Sequence, residues 1–78
     1  MTHLNEVTFM NNLWQNAVGS DVTGHDHDGT AFHGVVTEKR AKYGTDLQFT
    51  VVDNDTGDTF FVDASELYEG VRNLHIYL

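Results

Sequence analysis

Seventy-eight residues without a cysteine leave room for one domain and one small core, with neither disulfides nor thiolate metal sites to reinforce it. The formal charge of −8, from 4 Lys+Arg against 12 Asp+Glu, works against general polyanion binding, because every phosphate contact needs a cation. No apolar window approaches the roughly 20 residues of a membrane span, and residues 1–19 lack the basic start and unbroken apolar run of a signal peptide, so a cytoplasmic location is expected.

Leu4, Val7, Met10, Leu13, Trp14, Ala17 and Val18 recur at spacings of three and four, which predicts a helix over residues 1–19 with Trp14 in the core. Thr2 is the expected cap at its start, and Gly19 suits the left-handed position after its last turn. A short strand near residues 22–27 follows, although Gly24 is unfavourable inside a strand. It leads into Asp28-Gly29, a dipeptide suited to a type I′ hairpin turn. Residues 30–39 alternate through Phe32, Gly34 and Val36, and Gly34 permits a bend or a close backbone approach. Residues 39–45 read as a basic hairpin tip. Leu47, Phe49 and Val51 mark the next strand, closed by a turn over residues 53–58 with Gly57 left-handed. Thr59-Phe-Phe-Val-Asp63 is a further strand, Ala64–Glu69 a single helical turn stopped by Gly70, and residues 72–78 a last strand. That last strand has one apolar face and neither proline nor lysine to blunt its edge, so it invites a second copy. Repeated head to tail, such pairing closes a homo-oligomeric ring. The element order predicts a mainly β single domain over residues 1–78: an N-terminal helix, then a five-stranded, strongly bent antiparallel barrel over residues 20–78.

This pattern resembles the Sm-like family of SH3-like barrels, and within it the Hfq-like proteins. The residues that carry the resemblance are the helix, the turn Asp28-Gly29, and Gly34 in Phe32-His-Gly-Val-Val36, with Val62-Asp-Ala-Ser-Glu-Leu67 at the place of the second motif. The resemblance implies a ring and RNA binding at its pore, through an Asn in the first motif's hairpin and a cation in the second. Here Tyr43-Gly44 stands where that Asn belongs, Arg40 at the usual Asp position, and Asp63 where the cation would be. A carboxylate in place of a phosphate-facing cation reverses the local interaction, so the family's RNA site does not carry over.

The candidate binding residues are Lys39, Arg40, Lys42 and Tyr43, three of the four cations beside an aromatic ring. They could take an acidic protein surface, or a base and its phosphates on RNA. The bland reading is a solvated hairpin tip balanced by Glu38 and Asp46. His25, His27 and His33 are weak candidates for a zinc or nickel site, set against ordinary surface histidines. Asp53-Asn-Asp-Thr-Gly-Asp58 fails the calcium-loop spacing, with Asp58 where that loop needs glycine. No nucleophile elbow or phosphate loop is present, so neither an enzyme nor a cofactor is expected. The expected function is a non-enzymatic binding scaffold, a ring that takes a protein partner or RNA. The alternative is an acidic inhibitor or nucleic-acid mimic, of a kind phage-encoded proteins supply, using Asp53, Asp55, Asp58, Asp63, Glu66 and Glu69 in place of phosphates.

Overall fold

The computed structural model describes residues 2–42 and 46–78, with side chains over residues 6–41 and 46–78. The chain is mainly β: helix α1 (Thr2–Asn16), then strands β1 (Asp21–His25), β2 (Ala31–Lys42), β3 (Asp46–Asp53) and β4 (Thr59–Asp63). Helix α2 (Ala64–Glu69), a 3₁₀ turn (Val71–Asn73) and β5 (His75–Tyr77) follow. All five strands form one antiparallel sheet in the order β4-β3-β2-β1-β5, which leaves β4 and β5 as its two edges.

The core collects the inward positions of every strand: Val22, Phe32, Val36, Phe49, Val51, Val62 and Ile76. Leu13 and Ala17 of the α1 segment, Ala64 and Leu67 of α2, and Leu74 close over them. Trp14 is not in this core; 38% of it is exposed, as are half of Val7 and Val18. Helical geometry explains the difference. At about 100° per residue, Phe9 and Ala17 lie within about 40° of Leu13, whereas Trp14 and Val7 lie about 100–120° round the helix. Phe9 therefore turns inward, and its ring sits 5.5 Å from that of Tyr68 on α2. The side chain of Thr2, the expected helix cap, lies outside the described residues.

Two glycines set the packing of β1 and β2. A Cβ on Gly34 would lie 2.6 Å from both the Val52 carbonyl oxygen and Val51 Cγ1, so β2 passes β3 at a distance only glycine allows. Gly24, unfavourable on propensity alone, is required by the return of the chain: its Cβ would meet Leu74 Cδ2 at 2.7 Å and Leu74 Cα at 3.1 Å. Tertiary contact overrides strand propensity there.

The first hairpin turn differs from expectation. Asp28 keeps a negative φ and Gly29 alone is left-handed at +85°, so Asp28-Gly29 is not a type I′ turn. The Gly29 N–H donates to the Asp26 carbonyl at 3.0 Å and the Asp26 N–H to the Thr30 carbonyl at 2.9 Å. That is the three-residue loop in which a turn ends on a left-handed glycine. Asp26 selects it, because its Oδ1 accepts the N–H groups of Asp28 and Thr30, both at 2.9 Å. Gly57 is left-handed at +77°, as its turn requires.

Candidate functional site

The strand β2 does not end at residue 39. It runs on to Lys42, pairing Lys39 with Phe49, Arg40 with Gln48, and Lys42 with Asp46. Lys39 and Arg40 therefore sit within a strand and not on a hairpin tip; the pattern of apolar alternation stops at residue 36, but the backbone ladder does not. Tyr43 and the side chain of Lys42 lie outside the described residues. A bulge between Val36 and Glu38 inserts one extra residue, which reverses the facing of everything after it. Lys39 turns toward the helix, while Glu38 and Arg40 turn to the outer face of the sheet.

The two adjacent cations consequently have different surroundings. Lys39 Nζ donates to the carbonyl of Trp14 and lies 4.4 Å from the centre of the Trp14 ring. It ties the last turn of α1 to β2, where an orphan helix carbonyl attracts a cation. Arg40 reaches across β3 on the outer face. One of its terminal nitrogens donates to Gln48 Oε1, and its guanidinium carbon lies 5.7 Å from the centre of the Phe61 ring on β4.

The strand register builds a groove around Arg40. Glu38, Thr50 and Phe61 form one cross-strand row, and Arg40, Gln48 and Asp63 form the next. Between them lies an open groove of about 520 Å³ lined by Glu38, Lys39, Arg40, Gln48, Thr50 and Phe61. Phe61 is 57% exposed, although it stands in an apolar strand. Periodicity in residues 59–63 places Phe61 opposite in facing to Phe60 and Val62; the missed signal was that this facing meets Arg40.

The fourth cation, Arg72, was not a sequence candidate. It adopts φ +50° beside Asn73 at +57°, a conformation uncommon for either residue and least so for Asn. Its Nε donates to the His25 carbonyl at 3.1 Å, and its Nη1 lies 3.2 Å from Glu66 Oε2. His25 Nδ1 stands 3.4 Å from the Arg72 carbonyl. This clamp holds the end of β1 against the link between α2 and β5, and borders a second cleft of about 280 Å³ that includes Phe32 and Phe60.

The histidines are not gathered. His25 belongs to the Arg72 clamp, His33 faces Asp21 at 3.4 Å on the sheet surface, and His27 is exposed in its turn. Among the described residues no three His, Cys, Asp or Glu side chains are placed to hold a metal ion. Several carboxylates are tied to their own turns. Asp53 Oδ1 accepts the Asp55 and Thr56 N–H groups at 2.8 and 3.2 Å. Asp63 and Glu66 form the capping box of α2, with the Asp63 N–H donating to Glu66 Oε1 at 3.0 Å. Asp55, Asp58 and Glu69 are exposed.

Among the described residues no helix is long and apolar enough to cross a membrane. Set against protein-family models, curated proteins and solved structures, the chain matches none of them.

Proposed function

We propose that this chain is a non-enzymatic, cytoplasmic binding scaffold: an Sm-like bent barrel that joins copies of itself head to tail into a ring, with the Arg40–Phe61 groove as its ligand surface. The bend is supported by the contact of Phe32 with Phe60, whose ring centres are 4.7 Å apart. Phe60 stands across β3 from Val36, four positions along β2 from Phe32. In a flat sheet those steps amount to about 13 Å along the strand and about 10 Å across it. Only strong curvature toward the core face brings the two rings together.

The observation that carries the ring is the state of the two sheet edges. Strands β4 and β5 each have one unpaired side, and Tyr77 of β5 and the following Leu78 are 54% and 55% exposed. Neither strand holds a lysine or proline to discourage pairing. A small core with no disulfide gains stability from such association. Light scattering on the purified chain tests it. The expected mass is a fixed multiple of 8.8 kDa, reduced to one copy by Tyr77→Lys on the β5 edge while the circular dichroism stays β-rich. A wild-type monomer at tens of micromolar overturns the ring.

The nucleic-acid mimic is the second reading, favoured by the exposed Asp55 and Asp58 in the turn after β3. It expects salt-sensitive capture of a basic protein that Asp55→Asn with Asp58→Asn weakens. An unchanged interaction removes it.

A further inference from the structure

The groove over β2, β3 and β4 has a donor arrangement more specific than a positive patch. A guanidinium lying over an aromatic ring uses its face, and its in-plane N–H fork stays directed outward. The Arg40 guanidinium carbon lies 5.7 Å from the centre of the Phe61 ring, and one terminal nitrogen is bonded to Gln48 Oε1, so the remaining N–H groups of the guanidinium are the donors an anion can use. The fork matches the two oxygens of a planar oxyanion, which it can bind with two parallel charge-assisted bonds. The Thr50 hydroxyl and the exposed Phe61 ring supply a polar and an apolar wall beside it. Lys39 directs its ammonium to the Trp14 carbonyl on the helix side, so Arg40 is the anion receptor on the groove's face.

We infer that this groove binds a single carboxylate of an extended peptide, an Asp or Glu flanked by apolar residues. This rests on the reading of the groove as the ligand surface, and not on the ring. Two observations favour a peptide over a nucleic acid. Glu38 lines the same groove and repels a second anion laid along it, and the whole chain carries a charge of −8. A nucleic acid must present successive phosphates to that field, whereas a peptide presents one carboxylate and leaves the rest of its length neutral.

The experiment is a titration of the full chain with acetyl-Thr-Phe-Asp-Phe-Thr-amide, its Asn counterpart and hexauridylate, read by calorimetry and by the fluorescence of Trp14, the sole tryptophan. The Asp peptide is expected to bind, and the Asn peptide to bind roughly ten- to a hundredfold more weakly, the loss that accompanies a charge-assisted pair. Arg40→Lys keeps the charge and removes the fork, and is expected to weaken the Asp peptide by a similar factor with an unchanged melting temperature. Equal affinity for Asp and Asn peptides overturns the carboxylate assignment. Hexauridylate binding more tightly than the peptide, and lost in Arg40→Lys, overturns the ligand class but leaves the groove as the ligand surface. If no probe responds to Arg40→Lys, the groove reading falls together with the inference.

Discussion

The two halves of β2 show how one strand serves two purposes. Its first half, Ala31 to Val35, is flanked by β1, and from Gly34 onward by β3 as well. Phe32, Gly34 and Val36 are buried there, and the return of the chain at Leu74 presses on the neighbouring strand. Beyond the bulge the strand pairs with β3 alone, and residues 37–41 are all exposed. Tight packing fixes the position of the first half; the second half projects from it with an aromatic–cation surface and contributes little to the core. The contrast is testable because the same type of substitution should have opposite consequences in the two halves.

The largest effect is expected at Gly34. Adding one methyl group there sets a Cβ 2.6 Å from the Val52 carbonyl, a backbone atom that cannot rotate away. Overpacking of this kind costs about 1–3 kcal/mol, so Gly34→Ala should lower the melting temperature by roughly 5–25 °C in a domain of this size. Thermal unfolding followed by circular dichroism measures it. A shift below about 3 °C would mean that β2 and β3 do not approach as closely as described, and the division of the strand into a locked and a free half would lose its basis.

The next effect concerns the clamp that locks the first half. Arg72→Ala removes the bond to the His25 carbonyl and the ion pair with Glu66, two half-buried interactions together worth about 1–2 kcal/mol. Arg72→Gly loses the same bonds but relaxes a left-handed backbone at φ +50°, so it should be more stable than Arg72→Ala by up to about 1 kcal/mol. Urea unfolding of the two variants gives the order. Equal stabilities would show that the left-handed conformation carries no strain, and Arg72→Ala at wild-type stability would remove the clamp.

These residues also mark where sequence reading succeeded and where it did not. The helix, the order of five strands, the short α2 and the left-handed glycines at 19 and 57 were legible, because apolar alternation and turn chemistry are local properties. Gly34 was legible as a close-approach position for the same reason: a lone glycine among apolar strand formers marks a point where a side chain does not fit. Gly24 read as a defect, because the Leu74 that requires it lies 50 positions later in the chain. Trp14 read as core because a hydropathy stripe does not distinguish the centre of a helix face from its shoulder, and Phe9 was overlooked for the same reason. At the candidate site Lys39 and Arg40 were picked out by charge, but their separate surroundings depend on a bulge at residues 36–38 that no local pattern marks. Phe61 and Gln48 enter only through register, which a single sequence does not state.

The smallest and most discriminating effect separates those two adjacent cations. Both lie exposed in the free half of β2, and both sit over an aromatic ring, so composition alone treats them as equivalent. Lys39 satisfies a carbonyl in the last turn of α1, a contact that joins two elements and contributes about 0.5–1 kcal/mol. Arg40 bonds to a neighbouring side chain on the surface of one sheet, and its removal should change stability by no more than about 0.5 kcal/mol. Lys39→Ala should therefore lower the urea midpoint measurably and keep most of the peptide affinity. Arg40→Ala should leave the midpoint in place and abolish binding. The reverse pattern, with Arg40 needed for stability and Lys39 for binding, would assign the ligand to the helix side of the strand and the structural tie to its outer face.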